Sequence, residues 1–260
     1  MYGLTNTAVV PMRAAPNERS EMVSQLLWGE TFSIADQNDG WYYICNDFDG
    51  YRGWINKRMV HTFCNDADYQ NVVQQPFYVC TQLCCATHTV TNERVLIPHG
   101  AILYGYNAAS QNFVLDKQTY HFNFPLATMP ANKQKGVMQV AYTFLNTPYL
   151  WGGRTVLGID CSGFTQLVFF INGISIPRDA CQQAEIGDAV HCTENNCTAA
   201  LAFFGNTEAK ITHVGIILDS TKIIHASYKV RIDKWDSEGI YNEDEKRYTH
   251  KLRCIRRIIA

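Results

Sequence analysis

A cysteine in the middle of the chain has the setting of a catalytic nucleophile. Cys161 stands between an aspartate and a serine in DCSGF, at the start of an apolar helical pattern for which Asp160 is the predicted N-cap. At the first turn of a helix, free backbone N–H groups and the helix dipole favour a thiolate over a thiol. The pattern therefore predicts a reactive cysteine at a helix start.

Two histidines that could serve this cysteine lie in ITHVGIILDSTKIIHASYKV, which alternates like two strands joined by a tight turn at DST. A turn centred on residues 219–221 puts His213 across from or beside His225, and the side-chain period of two lets both face one side. Two such histidines opposite a thiolate would supply a base and a residue that orients it.

On spacing alone, a structural explanation of these residues stays open. A single histidine in an apolar strand is usually a satisfied core or edge residue, and cysteine is often just a small buried hydrophobe. The remaining histidines have no comparable setting. We expect them to be structural or on the surface: His61, His88, His99, His121, His191 and His250.

The elements around these residues change character along the chain. Residues 1–62 read as short strands separated by turn-rich breaks, which predicts a small β-barrel, and residues 63–128 form a second β-rich segment. Residues 129–260 begin with a helical period instead. The sequence therefore predicts three domains, of which the third carries Cys161 and both histidines.

Two helices are predicted at the start of the third domain. The first ends before Pro148, and the second begins at Cys161 and stops at the Asn-Gly pair at 172–173. The apolar stripe of the first comprises Val137, Val140, Ala141, Phe144 and Leu145. The apolar stripe of the second comprises Phe164, Leu167, Val168 and Ile171.

Composition excludes several classes of protein. The net charge is −2 with 18% charged residues, and no basic run offers the footprint that a phosphate backbone requires, so nucleic acid is not an expected partner. No apolar stretch approaches the ~18 residues needed to span a bilayer, and the amino terminus lacks the pattern of a secretory signal. We expect a cytoplasmic protein, or an exported one whose signal has been removed.

The ten cysteines are expected to be reduced thiols, because a chain of 260 residues rich in apolar side chains does not need disulfides to replace a core. The clusters CTQLCCATH and CTENNC contain potential metal ligands, but neither has the paired CxxC spacing of a zinc site. We therefore predict neither a metal nor another cofactor.

The blocks YLWGG, DCSGF, THVGIIL and IIHAS carry a resemblance to the NlpC-type cell-wall cysteine peptidases, in the same order and with similar separations. It extends from about residue 131 to 228 and implies a papain-like fold. By this resemblance Cys161 is the nucleophile, His213 the base and His225 the residue that orients the base. Tyr149 would help to hold the oxyanion beside the Cys161 backbone N–H.

Three further segments, IPRDA, GYRGW and SEMVSQ, resemble the subgroup with SH3-like domains ahead of the peptidase. That subgroup cleaves the γ-D-glutamyl bond to a diamino acid in cell-wall peptides. The implied substrate is L-Ala-γ-D-Glu joined to diaminopimelate or lysine, with a free amino terminus. By resemblance, Asp160, Tyr51 and Glu21 bind its terminal ammonium. The other residues assigned to substrate binding are Ser162, Trp151, Arg178 and Asp179.

The sequence departs from the subgroup at two places. Cys181 follows IPRDA where a polar residue is usual, and the segment between residues 190 and 210 lengthens the loop before HVG. We nevertheless predict two all-β SH3-like barrels followed by an α+β papain-like cysteine peptidase, acting as a monomer on peptidoglycan-derived peptides. Two alternatives remain: a non-catalytic cell-wall-binding protein, and an amidase or acyltransferase on the same fold.

Overall fold

The computed structural model describes residues 1–115, 117–123, 126, 130–191, 197–205 and 210–259. The chain divides into two compact units, Met1–Thr128 and Met129–Ala260. The carboxy-terminal unit contains the cysteine and both histidines singled out by the sequence.

The amino-terminal unit begins with a seven-stranded antiparallel sheet in the order β3-β2-β6-β5-β4-β1-β7. Its strands are β1 Tyr2–Leu4, β2 Val9–Arg13, β3 Met22–Leu27, β4 Thr31–Asn38, β5 Trp41–Asn46, β6 Arg52–Asn56 and β7 His61–Thr62. A short 3-10 turn, Lys57–Met59, precedes β7. Alternating residues on these strands bury one apolar face, which includes Val10, Phe32 and Ile44. This confirms the short-strand pattern predicted for residues 1–62.

The same unit continues with one helix and further antiparallel strands. These are α1 Asp66–Val73, β8 Phe77–Val79, β9 Cys84–His88, β10 Arg94–Ile97, β11 Ile102–Tyr104, β12 Asn112–Leu115 and β13 Gln118–Phe122. They form a four-stranded sheet, β10-β9-β13-β12, and the pair β11-β8. Trp28 from the first segment packs edge-on against Phe113 and Tyr120, so the two segments share a core. The separate domains predicted at 1–62 and 63–128 stay a prediction.

The carboxy-terminal unit contains three helices: α2 Lys133–Thr143, α3 Cys161–Ile171 and α4 Ala180–Gln183. Helix α3 begins at the predicted residue, and every one of its residues is buried. Helix α2 buries Val137, Val140 and Ala141 as predicted. Leu145 is a correction, because α2 ends before it and its side chain is exposed.

The strands of this unit are β14 Arg154–Thr155, β15 Gly158–Ile159, β16 Asp188–Ala189, β17 Leu201–Gly205, β18 Ile211–Ile217, β19 Lys222–Ser227, β20 Lys229–Trp235, β21 Gly239–Asn242 and β22 Arg247–Arg257. Seven of them form a sheet in the order β16-β22-β17-β18-β19-β20-β21. Strand β21 also pairs with β22, which closes the sheet into a barrel. The predicted hairpin is β18–β19, in which His225 lies opposite Gly215.

The cysteines correct one expectation. Cys197 forms a disulfide, whereas eight other described cysteines are free. The expectation of thiols throughout came from chain size, and a sufficient core does not forbid a local crosslink. The second cysteine of CTENNC is Cys197, and the first, Cys192, lies outside the described residues. Of the segment predicted to lengthen the loop before HVG, residues 192–196 and 206–209 lie outside the described residues, and Leu201–Gly205 forms β17. None of the described helices is long and apolar enough to cross a bilayer.

Candidate active site

The candidate nucleophile is the first residue of α3. Cys161 is only 7% exposed, and its sulfur is hydrogen-bonded by the backbone N–H groups of Val214 and Ser162. Val214 directly follows His213 on β18. These contacts bring the thiol to the part of the barrel that carries the predicted base.

The electrostatic environment keeps this thiol protonated. Burial, followed by the negative charge of Asp160, raises the pKa of Cys161 to about 12, although Arg178 and the N–H groups of Val214 and Ser162 act in the opposite direction. The helix start does provide N–H donors, but burial and the anionic N-cap outweigh them.

The N-cap aspartate is held in a buried ion pair. Oδ1 of Asp160 accepts hydrogen bonds from Arg178 Nη1 at 3.0 Å and from the Gly163 N–H at 2.7 Å. Oδ2 accepts from Arg178 Nη2 at 2.6 Å and from the Gly152 N–H at 2.9 Å. The Ser162 hydroxyl lies 3.3 Å from Oδ1 and accepts from Arg178. The pair therefore ties the loop before α3, the first turn of α3 and the segment before α4 together.

A row of polar side chains crosses the barrel behind the thiol. His213 Nε2 lies 2.8 Å from His225 Nδ1, and His225 Nε2 lies 2.9 Å from Asp233 Oδ2. The strand register explains the row, because Gly215 is opposite His225 and Ile223 is opposite Asp233, which makes each contact a diagonal one on a single sheet face. The prediction that His213 and His225 meet on one face is confirmed.

Gly215 leaves room for this arrangement. A Cβ atom at Gly215 would lie 2.9 Å from His225 Cβ. Any larger residue there would displace His225 from the diagonal position in which it reaches His213. The glycine of the HVG block is thus a packing requirement of the histidine pair.

Burial keeps both imidazoles neutral. His213 is 6% exposed and His225 1% exposed. Burial lowers the pKa of His213 well below its usual value, and the neighbouring His225 and His250 lower it further. Burial also lowers the pKa of His225, despite an opposing contribution from Asp233. A neutral imidazole can accept a proton, which is what a general base requires.

Asp233 belongs to the row and was not found from the sequence. Burial raises its pKa, but the hydrogen bonds with His225 and Arg231 outweigh burial and lower it overall. Arg231 contacts both carboxylate oxygens, with Nε 2.7 Å from Oδ2 and Nη2 2.8 Å from Oδ1. Arg231 also reaches Asp244 at 3.0 Å. Asp233 could have been found from the sequence. It lies on the strand that pairs with the strand of His225, and alternation along that strand places it on the same face.

His250 was expected to be structural or on the surface, but its ring lies against the site. Its ring stacks on that of His213, with centroids 4.1 Å apart and planes inclined by 29°. Burial lowers the pKa of His250 to about 4, and the charge of His225 acts in the same direction. It was missed because it comes from β22, which is distant in sequence and joins the sheet beside β17, the neighbour of β18.

Tyr149 lies close enough to Cys161 and Asp160 for their charges to act on its hydroxyl, and its role at the oxyanion stays a prediction. Burial raises the pKa of Tyr149 above its usual value, and the charges of Cys161 and Asp160 raise it further, so the hydroxyl keeps its proton and can donate. The Tyr149 backbone N–H bonds to the Tyr228 carbonyl at 2.9 Å. Both tyrosines line an open cavity of about 510 Å³, together with His213 and His250. This cavity is the candidate substrate groove at the imidazole.

Comparison with known proteins agrees with this geometry. Residues 146–253 match the model of the NlpC/P60 family, and residues 12–58 match the bacterial dipeptidyl-peptidase SH3 domain. The chain thus carries an NlpC/P60 domain behind a dipeptidyl-peptidase SH3 domain. Cys161, His213, His225 and Asp233 all belong to the NlpC/P60 domain.

Two relatives match most of the chain. The gamma-D-glutamyl-L-lysine dipeptidyl-peptidase of Bacillus subtilis is 29% identical over 78% of this chain and 71% of its own length. Dipeptidyl-peptidase 6 of Lysinibacillus sphaericus is 24% identical over 94% of this chain and 96% of its own. The structure of an NlpC/P60 family protein from Bacillus cereus covers both chains completely, with a TM-score of 0.83 at 18% identity, which shows a shared fold.

The substrate-binding residues predicted for the NlpC/P60 domain occupy different settings. Asp160, Ser162 and Arg178 come together in the buried ion-pair network. Trp151 is 62% exposed, and Asp179 forms the capping box of α4 with Gln182. Their contacts with substrate stay predictions.

The two remaining predicted residues belong to the amino-terminal unit. Tyr51 is half-buried and packs against the apolar core of the first sheet, with its backbone N–H bonded to Asp49. Glu21 is exposed and precedes β3 rather than lying within it. Their part in amine binding stays a prediction. Among the described residues, no group of three or more His, Cys, Asp and Glu side chains could hold a metal ion.

Proposed function

We propose that this protein is a cysteine peptidase that hydrolyses the γ-D-glutamyl bond to a diamino acid in cell-wall peptides. The observation that carries the proposal is the row of polar side chains in the NlpC/P60 domain. His213 contacts His225 in this row, and the residue after His213, Val214, donates its backbone N–H to the Cys161 sulfur. The relatives named gamma-D-glutamyl-L-lysine dipeptidyl-peptidase support the choice of bond.

Acylation begins with the thiol protonated, because its pKa is raised to about 12. The Cys161 S–H gives its proton to His213 as sulfur attacks the γ-carbonyl carbon of D-Glu. The Tyr149 hydroxyl and the Cys161 backbone N–H donate to the oxyanion that forms. The C–N bond then breaks, and His213 protonates the departing amine of the diamino acid.

Deacylation returns the enzyme to its starting state. His213, now neutral, accepts a proton from a water molecule as that water attacks the thioester carbon. The C–S bond breaks, sulfur regains a proton from His213, and L-Ala-D-Glu leaves. The side chains of the site supply every proton transfer in this sequence, so the reaction needs no cofactor.

The free amino terminus of the substrate is the second part of the proposal. Asp160, Tyr51 and Glu21 would bind the terminal ammonium, with diaminopimelate or lysine as the third peptide residue. A groove that ends at an ammonium site favours peptides whose L-Ala is free, because blocking that amine removes the charge and adds bulk.

The proposal also covers the domain organisation, oligomeric state and compartment of the enzyme. We infer two SH3-like barrels ahead of a papain-like domain, acting as a monomer in the cytoplasm on peptides released from peptidoglycan.

The decisive experiment measures cleavage of L-Ala-γ-D-Glu-L-Lys and of its diaminopimelate counterpart, each with a free and an acetylated amine. We expect L-Ala-D-Glu to be released from the free peptides, with kcat/KM reduced at least about a hundredfold by acetylation. Cys161→Ala is the control and should release none. Binding of peptidoglycan without cleavage by the unaltered protein would favour the wall-binding alternative, and cleavage of other amides would favour the amidase.

A further inference from the structure

Strands β18, β19 and β20 contribute His213, His225 and Asp233 to one continuous hydrogen-bonded row. We propose that Asp233 is a positioning residue that fixes the tautomers of both imidazoles in series, so that Nδ1 of His213 receives the proton of Cys161. This inference rests on the proposed function, because it identifies the basic atom of that reaction. Asp233 is 4% exposed at its side chain and acts only through the histidines.

The proton positions follow from the donor and acceptor properties of each group. An ionised carboxylate only accepts hydrogen bonds, so Nε2 of His225 must carry the proton in its 2.9 Å contact with Asp233. A neutral imidazole has one N–H, which leaves His225 Nδ1 as an acceptor. His213 Nε2, 2.8 Å away, must then be the donor. The remaining nitrogen of His213, Nδ1, keeps its lone pair.

Burial removes the alternative in which an imidazole carries both protons. His225 is 1% exposed and His213 6% exposed, and a charged imidazole at either place would lose its hydration. The row therefore has one consistent arrangement of protons while Asp233 is ionised. The stacked His250 and the guanidinium of Arg231 also face the row, and neither supplies a charge that would favour an imidazolium.

The contacts of Asp233 explain why an amide could not replace its carboxylate. Oδ2 faces both His225 Nε2 and Arg231 Nε, and Oδ1 faces Arg231 Nη2. Asparagine has one oxygen and one NH₂ group. With the nitrogen toward His225, the amide would donate to Nε2 and reverse the tautomers. With the nitrogen toward Arg231, two donors would oppose each other.

A purely structural role is the competing explanation, since the Asp233–Arg231–Asp244 contacts also link β20 to the turn between β21 and β22. The two roles differ in what they predict for the histidine rings. A structural carboxylate affects folding and leaves the site of ring protonation alone. A positioning carboxylate sets which ring nitrogen is protonated and affects kcat more than KM.

The first test needs no variant and no substrate. Ring ¹⁵N shifts of the histidine-labelled protein at pH 7.5 should show neutral Nε2–H tautomers for both His213 and His225. An Nδ1–H tautomer at either residue overturns the inference. Because this measurement is independent of cleavage, it still decides the inference if the protein hydrolyses no γ-D-glutamyl peptide, a result that would refute only the proposed function.

The second test compares Asp233→Asn with Asp244→Asn as its control. Asp244 contacts the same arginine as Asp233, but no hydrogen bond joins it to His213 or His225. Asp233→Asn should lower kcat on L-Ala-γ-D-Glu-L-Lys about a hundredfold with KM within about twofold, and Asp244→Asn should keep both constants. Asp233→Glu should recover part of the lost rate, because it restores an acceptor. A kcat for Asp233→Asn within about threefold of the unaltered enzyme would refute the role.

Discussion

Two aspartate–arginine pairs support the reacting groups, one on the side of the thiol and one on the side of the imidazoles. In the first, Arg178 is 2% exposed and every oxygen of Asp160 is occupied by an arginine or backbone donor. In the second, the Arg231 side chain is 19% exposed and one oxygen of Asp233 faces an imidazole. The two pairs use the same residue types at opposite sides of one site.

Their difference lies in where the remaining hydrogen bonds go. Asp160 bonds to the backbone of the loop and helix that position Cys161, so its charge stabilises the local fold and keeps the thiol protonated. Asp233 bonds to a titratable ring, so its charge determines where a proton lies. A buried ion pair can thus stabilise the local fold or direct chemistry. Which of the two it does depends on whether its carboxylate also bonds to backbone N–H groups or to an imidazole.

The largest expected effect is on stability at the thiol side. Arg178→Met leaves the buried Asp160 carboxylate without its cation, which should lower the unfolding free energy by about 3–5 kcal/mol. Arg231→Met should cost less than this, because Arg231 is partly exposed and water can take the place of its guanidinium beside Asp233. Urea denaturation at pH 7.5 measures both. Equal losses in the two variants would mean that the pairs do not differ as described.

The next effect concerns the imidazole side, which should be sensitive to acid. A histidine with a depressed pKa in the folded state contributes its full stability above about pH 6.5, and that contribution falls as pH drops toward the folded pKa. For His250, with a pKa of about 4, the loss is about 2 kcal/mol at pH 5. His250→Phe keeps an aromatic ring over His213 and should remove that part of the loss.

Urea unfolding at pH 7.5 and pH 5 measures this directly. The unaltered protein should lose about 2 kcal/mol more than His250→Phe between the two pH values. The hydrogen bond between Thr249 and His250 Nδ1 is lost in the variant at both pH values, so it cancels in the difference. Parallel pH dependence of the two proteins would show that His250 titrates normally.

The last prediction distinguishes a protonated thiol from a preformed ion pair. With the pKa of Cys161 raised to about 12, its alkylation by iodoacetamide should rise about tenfold per pH unit between pH 6 and 9. Peptide mass spectrometry separates this cysteine from the exposed Cys181. A rate for Cys161 that is already constant from pH 6 upward would indicate a thiolate–imidazolium pair in the free enzyme.

Local features of the site were readable from the sequence. The start of α3 at Cys161 follows from the Asp160 cap and the apolar period, both of which depend on neighbouring residues. The hairpin that joins His213 to His225 follows from one turn and strict alternation. Each of these predictions needed only interactions between residues that are close in sequence.

Features that depend on distant strands were not readable. His250 reaches His213 through β22, whose pairings with β17 and β21 both contain a register shift. A bulge changes which residues face inward, and no local pattern marks its position. Arg178 was assigned to substrate binding, and only the packed structure reveals that its guanidinium pairs with Asp160.

The internal position of three strands in the sheet has a consequence for how the site is lost. His213, His225 and Asp233 lie on β18, β19 and β20, and each of these strands has a hydrogen-bonded neighbour on both sides. Backbone amides in such strands exchange with solvent only through openings that approach global unfolding, whereas strand edges and helix ends fray at low cost. The base and its supports therefore belong to the last part of this unit to open.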